Sequence, residues 1–298
     1  MKRHAYLIIA HNEFYILEQL LKLLDDERND IYIHIDKKVY DINFNYFKYI
    51  CKKSKVIFTD RVKVNWGGYS QIESELILLK AAIQNEYNYY HIISGVDLPL
   101  KSQDYIHEFF EKNQGKEFIR YVDKWSIDRI KYLYLLNEKL RGKYRSKNLI
   151  VKCLNKFIIF IQKILRYDHT KKFKEIVFKK GTNWMSITHE CAKLVLSKEE
   201  LIKDMFKYSV CADEVFIHTI YYNFTKNKNL YCDILNSWDA NKRFIDWERG
   251  NPYIFTEEDF DSIINSGQLF ARKFSINKDK KIIDKIVEHV LTCSKAQG

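Results

Sequence analysis

Four short apolar segments fall in the first hundred residues: "AYLIIA" at 5–10, "IYIHID" at 31–36, "KVIFTD" at 55–60 and "YYHIISG" at 89–95. Helical patterns separate them, near Glu13–Leu24 and after Tyr69, and a further helix near Gln103–Lys112 leads to "KEFIRYV". Strands that are apolar nearly throughout and alternate with helices predict an α/β fold with a mainly parallel sheet. In such sheets ligands bind at the carboxyl ends of the strands. Those ends here carry His34 and Asp36, Asp60, and the run Ser94–Asp97. A small-molecule pocket is expected there.

The chain has 298 residues, 46% of them hydrophobic, enough for a sizeable core. Only two prolines and nine glycines leave no linker-like stretch. The organisation expected is one unit in three parts: an α/β half at 1–123, a basic helical insertion at 124–180 and a second half at 181–298. Between Arg129 and Lys180, sixteen Lys and Arg face three acids, so this segment carries more than the whole formal charge of +11. Six scattered cysteines without a C-x-x-C pair argue against a zinc site or redox dithiol. The apolar run at 5–10 is too short for a signal peptide, and a cytoplasmic location is expected.

"VNWGGYSQIESEL" offers adjacent glycines before a helix, but neither G-x-G-x-x-G nor G-x-x-x-x-G-K-[ST] fits it. Ser70 and Glu73 read as a capping box, with Ile72, Leu76, Leu79 and Ile83 facing the sheet. Trp66 is then a candidate pocket wall. The literal D-x-D, Asp259-Phe260-Asp261, reads as the acidic first turn of a helix capped by Thr256, not as a metal site.

Asp213 and Glu214 precede an apolar helical run, a pattern that serves either a helix cap or proton transfer. Asp97 lies at a strand end. Arg272 and Lys273 sit between Phe270 and Phe274, which tie the pair to the core. Trp184, Trp238 and Trp247 occupy loop positions and are candidate sugar-stacking platforms.

The segments "IIAHNEFYILEQLLKLL", "DIYIHIDKK", "VNWGGYSQIESELILLKAA", "YYHIISGVDLPLKS", "GTNWMSITHECAKLVL", "ADEVFIHT", "RFIDW" and "LFARKF" span nearly the whole chain outside the basic insertion. In that order they resemble glycosyltransferase family 14, the branching enzymes that include core-2/I N-acetylglucosaminyltransferases and peptide O-xylosyltransferases. The chain reads as a bacterial member of it. The resemblance implies a GT-A-like, nucleotide-sugar-binding fold and an inverting transferase that needs no metal and no cofactor beyond its donor substrate. It further implies a catalytic base at Glu214, with Asp97 as the alternative in a loop bordering the sugars, and a diphosphate contact at Lys273 beside Arg272. A second cation is expected at Arg249. The nucleoside is expected over "AHNE" and "YIHIDKK", with His11 and Asp36 as donor contacts. Asp97, Asp213 and the tryptophans Trp66, Trp184, Trp238 and Trp247 are assigned to the acceptor or sugar pocket.

The function expected is transfer of a sugar from a UDP-sugar, UDP-GlcNAc first, to a saccharide hydroxyl in surface polysaccharide or glycan synthesis. Xylosyl or glucuronosyl transfer is the alternative within the family. The insertion's apolar run with Lys152, Lys156 and Lys163 suits an anionic membrane surface, and so a peripheral position on the inner face of the cell membrane with a lipid-linked acceptor. From other classes, the basic character would suit a nucleic-acid binder or a membrane-surface scaffold; the acids Asp97, Asp213 and Glu214 have no use in the former, and no nucleic-acid partner is expected.

Overall fold

The computed structural model describes residues 3–140 and 149–296, so the part of the basic insertion at 141–148 lies outside the described residues. The chain opens with β1 (His4–Ala10), α1 (Phe14–Leu24), β2 (Asn29–Ile35), α2 (Phe44–Ile50), β3 (Lys55–Phe58), α3 (Tyr69–Ala82) and β4 (Tyr89–Ser94). These four strands are mutually parallel in the order β3-β2-β1-β4. Every residue of β2 and β4 is buried, as continuous apolar runs covered on both faces require.

The second part runs through β5 (Leu98–Pro99), α4 (Gln103–Lys112), β6 (Tyr121–Val122), α5 (Asp128–Lys131), α6 (Asn137–Leu140), α7 (Leu149–Ile164) and β7 (Lys180–Gly181). It continues with β8 (Met185–Thr188), α8 (His189–Ser197), α9 (Glu199–Phe206), α10 (Phe216–Phe224), β9 (Arg243–Ile245), α11 (Phe260–Ile264), β10 (Phe270–Arg272) and α12 (Lys280–Ala296). β8 joins the sheet antiparallel to β4, so the sheet is mainly parallel with one antiparallel edge. That strand takes the position beside β4 and displaces "KEFIRYV" outward. Only Tyr121–Val122 of this segment is a strand, paired with β7, while Glu117 and Phe118 make single bridges to Leu230 and Ser186.

Each face of the sheet carries one core, and each core joins the first strands to elements from later in the chain. On one side Tyr6, Ile8, Ile31 and Ile33 pack with α1, Phe110, Phe270 and Ile283. On the other, Leu7, Tyr32 and Ile92 pack with Leu76, Leu79, Val195 and Ile217. Helix α1 repeats Ile16, Leu17, Leu20, Leu21 and Leu24 at helical spacing, all fully buried, each contributing about 1.5–3 kcal/mol. Leu20→Ala would cost about 2–5 kcal/mol through the cavity it leaves.

Helix α3 departs from the sequence reading in two ways. Ile72, Leu76 and Leu79 face the sheet as expected, but Ser74, Glu75 and Leu78 are buried as well. α8 and the turn Ala212–Glu214 cover that second face. The cap is also different: Gly68 is the N-cap residue and no α3 side chain caps the helix. Glu138 of α6 supplies it from a distance, accepting from Ser70 N (2.9 Å), Ser70 Oγ (3.0 Å) and Asn65 Nδ2 (2.8 Å). The incoming carboxylate outcompetes the local Glu73, which is exposed. A Cβ on Gly68 would stand 2.3 Å from Glu138 Oε1, and Gly67 has φ +75°, so both glycines serve this approach.

Candidate active site at the strand ends

β5 and β10 pair antiparallel, with Leu98 opposite Ala271, which sets Asp97 beside Arg272. The Asp97 carboxylate is buried and accepts from Ser94 N (2.9 Å) and Ser94 Oγ (2.6 Å). Arg272 Nε stands 3.7 Å from Asp97 Oδ1, and its guanidinium lies 4.3 Å over the ring of Trp184. Its side chain is only 12% exposed, yet among the described residues Nε and Nη1 have no hydrogen-bond partner. Buried guanidinium N–H groups are nearly always paired, so two unpaired ones leave this side chain with donors to offer an anion. Lys273 follows, its pKa lowered by burial and then by Arg272, with Glu13 and Asp97 opposing.

A second cluster sits on the turn before α10. Glu214 Oε2 is bridged by Arg129 Nη1 (2.8 Å) and Lys180 Nζ (3.1 Å). Asp213 is buried, and its Oδ2 accepts from Gln71 Nε2 at 3.0 Å. Burial, then the charge of Glu214, pushes the Asp213 pKa up to about 7. The run from Lys180 to Trp184 links the two clusters, since Lys180 holds Glu214 and Trp184 underlies Arg272. Four backbone steps of at most ~3.6 Å each keep their Cα atoms within about 14 Å.

His11 follows β1 and Asp36 follows β2, at the carboxyl edge of the sheet. The His11 side chain reaches solvent, yet the surrounding protein lowers its pKa by partial desolvation; Asp36 opposes this, while Lys273, Lys38 and Arg272 add to it, so His11 shares the electrostatic environment of the Arg272 cluster. Asp36 closes its own loop, with Oδ1 accepting from Lys38 N (2.9 Å) and Val64 N (3.3 Å) and Oδ2 lying 3.4 Å from Lys38 Nζ. His34 is a core residue accepting from Val62 N at 3.1 Å, its pKa lowered to about 4 by burial.

The remaining candidates separate. Trp66 is 62% exposed on the glycine loop. Trp238 and Trp247 are exposed, and Trp238 lies 3.7 Å under the guanidinium of Arg120. Trp184 is the tryptophan brought to the anion site. Arg249 is engaged elsewhere: it bonds Asp246 (2.5 Å) and Asp259 (2.7 Å) and stacks on Tyr253 at 4.0 Å. Thr256 is the N-cap residue, as the sequence reading of "TEEDFD" expected, and Asp259 completes a capping box with it.

Sequence reasoning passed over two residues. Arg243 is buried below the site, donating to Asn241 O (2.6 Å), Met185 O (3.0 Å) and Ser186 Oγ (2.9 Å). Burial lowers its pKa to about 10, with Asp97 the leading opposing charge. Its only signal was an arginine opening the apolar strand "RFI". Glu75 is the other, an acid among serines and leucines whose pattern is that of any helix surface.

Fold and candidate site together describe an α/β protein in which a nearly buried guanidinium and two sets of carboxylates gather near the carboxyl ends of parallel strands. The chain belongs to the Core-2/I-Branching enzyme family, whose model matches residues 4–264, and this places it among glycosyltransferases. It is 24% identical to human N-acetyllactosaminide beta-1,6-N-acetylglucosaminyl-transferase in an alignment that covers 92% of this chain and 68% of the relative. It is 21% identical to rat xylosyltransferase 2 over 97% of this chain and 34% of the relative. The chain thus spans about a third of the xylosyltransferases it matches. Among solved structures, S. aureus TarS overlaps 47% of this chain and 26% of its own, with 13% identity and a TM-score of 0.30.

Proposed function

We propose that the protein is an inverting, metal-independent glycosyltransferase that moves a sugar from a UDP-sugar to a saccharide hydroxyl in glycan or surface-polysaccharide synthesis. The observation that carries this reading is the nearly buried Arg272, with two unpaired N–H groups beside Lys273. Such a clamp stabilises charge growing on a leaving diphosphate as a metal ion would. The acid pair of the only D-x-D is not free for that task, because Asp259 is used by Thr256 and Arg249.

Glu214 fits the base better than Asp97. Both Asp97 oxygens accept from Ser94 and the residue is closed to solvent. Glu214 is 27% exposed and anchored through Oε2, and no partner is described for Oε1. In the proposed step Oε1 takes the proton of the acceptor hydroxyl as its oxygen attacks the anomeric carbon. The bond to the diphosphate breaks on the opposite face, and Arg272 and Lys273 receive the departing charge. His11 and Asp36 would border the nucleoside, and Trp184 the sugar.

UDP-GlcNAc is the first candidate donor, following the name of the human relative; UDP-xylose follows from the rat relative. Helix α7 supports a partner at a membrane surface. None of its residues is buried; Leu149, Ile150, Leu154, Phe157, Phe160 and Ile164 are exposed, and its charged side chains are all lysines. Among the described residues no helix is long and apolar enough to cross a membrane, so α7 would lie on an anionic surface. The test of the enzymatic reading is a thermal-shift screen of UDP-sugars, then transfer assays with and without EDTA. A stabilising donor that turns over in EDTA supports it, and dependence on an added divalent metal overturns the metal-free mechanism.

A further inference from the structure

The buried second face of α3 presents Gln71 and Glu75, one helical turn apart, toward the turn that carries Asp213 and Glu214. Gln71 is satisfied, since its amide donates to Asp213 Oδ2 at 3.0 Å and its Oε1 accepts from Gly67 N. Glu75 is not. The residue is 1% exposed, and among the described residues neither carboxylate oxygen receives a hydrogen bond. Two further acceptors belonging to the same surroundings, Asp213 Oδ1 and Asn183 Oδ1, are also buried without a donor. The Asn183 side chain interacts with Glu75 but outside hydrogen-bonding geometry.

Four buried acceptor atoms therefore lack a donor. Unpaired buried polar atoms are rare, and like-charged carboxylates in one dry site cannot both ionise easily. A single proton changes the count, because a protonated carboxyl has one O–H donor as well as an acceptor. We propose that Glu75 is held as a neutral carboxylic acid that shares its proton with Asp213 and thereby positions the Asp213–Glu214 turn. Glu75 is then a positioning residue, two side chains removed from the reacting atoms. With the proton in place, Glu214 keeps both its cations, and Asp213 meets a donor on each side, Gln71 and Glu75.

The electrostatics agree with the geometry. Burial, then the Asp213 charge, pushes the Glu75 pKa well above the usual carboxylate range, with Asn183 opposing weakly. Asp213 is the charged group acting on Glu75; Glu214 raises Asp213 in turn, opposed by the backbone N–H groups of Asp213 and Glu214 and by Arg129. The pair titrates as a unit rather than as two independent acids.

The test needs no substrate. A group protonated in the folded chain and ionised in the unfolded one makes the folded state bind an extra proton, so its stabilising effect is complete below the unfolded pKa and is lost as pH rises. Comparing unfolding of the wild type with Glu75→Gln, which keeps a donor without the proton, the ratio of their unfolding constants should rise by about tenfold per pH unit between about pH 5 and 7. A flat ratio means that Glu75 is ionised in the fold and overturns the proposal. Should Glu75→Gln not fold, the infrared band of protonated carboxyls in the wild type at pH 7, compared with Asp213→Asn, gives the same answer: an unchanged spectrum overturns sharing.

The positioning role rests on the reading of Glu214 as base and has its own readout. Glu75→Leu, which cannot donate, should lower kcat about tenfold with KM for the UDP-sugar unchanged. A proton-linked slope with no loss of kcat would keep the proton and overturn the positioning role. Loss of activity in every Glu214 variant with no slope would keep Glu214 as the base and overturn the shared proton.

Discussion

Arg272 faces Asp97 at 3.7 Å, beyond a good hydrogen bond, while keeping two N–H groups unpaired in a nearly buried position. Trp184 supports the guanidinium from below, so the charge is fixed in place before any ligand arrives. A preorganised donor aimed at developing charge is worth about two to three orders of magnitude in rate. Arg272→Ala should therefore lower kcat/KM about 10²–10³-fold with the near-UV spectrum retained. Arg272→Lys should recover only part of this, since a lysine offers one point charge where the fork offers several directed donors. Full activity in Arg272→Lys would show that charge alone suffices.

The two acids compete for the role of base, and their substitutions should differ in kind. Glu214→Gln removes the proton acceptor but keeps the shape held by Arg129 and Lys180. Its kcat should fall by about two to four orders of magnitude while UDP still binds. Asp97→Asn disturbs a carboxylate that accepts two bonds from Ser94 and balances Arg272, so its first effect should be on donor affinity and thermal stability. Steady-state kinetics with calorimetric UDP binding separate these outcomes. An Asp97→Asn enzyme that binds UDP normally and does not turn over would transfer the base assignment to Asp97.

The parallel strands were legible because each is apolar along its length, and this pattern has no other comfortable home than a sheet covered on both sides. The strand ends then pointed to the region where Asp97 and Arg272 meet. What could not be read depends on contacts between distant elements. Glu75 looks like a surface acid until α8 and the 212–214 turn bury it. Glu73 looks like a cap until Glu138 arrives from α6. Arg249 has the spacing of a diphosphate ligand, but Asp246, three residues before it, is close enough to hold it, and Asp259 completes the pairing.

Helix α7 yields a prediction about location. Its apolar residues and lysines lie together on a helix with no buried residue, and Gln162 fastens it to the body through Leu133 N (2.8 Å) and Leu133 O (3.0 Å). Self-association through this helix would bring like charges together, whereas an anionic surface gains about 1 kcal/mol per lysine. The protein should co-sediment with phosphatidylglycerol vesicles and much less with phosphatidylcholine vesicles. The double replacement Phe157→Ser and Phe160→Ser should weaken this about tenfold or more. Equal binding to both vesicle types would remove the electrostatic part of the argument.

The cap on α3 makes the basic insertion part of the site's support. Glu138 holds the first turn of the helix that carries Gln71 and Glu75, and Gly68 leaves the space it needs. Gly68→Ala would put a Cβ 2.3 Å from Glu138 Oε1 and drive the carboxylate off its three donors. Glu138→Ala removes the same bonds directly. Each should cost about 1–2 kcal/mol, the range for a lost helix cap, and lower Tm by a few degrees. Because both act on one interaction, the double variant should cost little more than either alone. Additive losses in that cycle would mean that Gly68 is required for another reason. A coupled loss that also lowers transferase activity would tie the insertion to catalysis through the α3 cap.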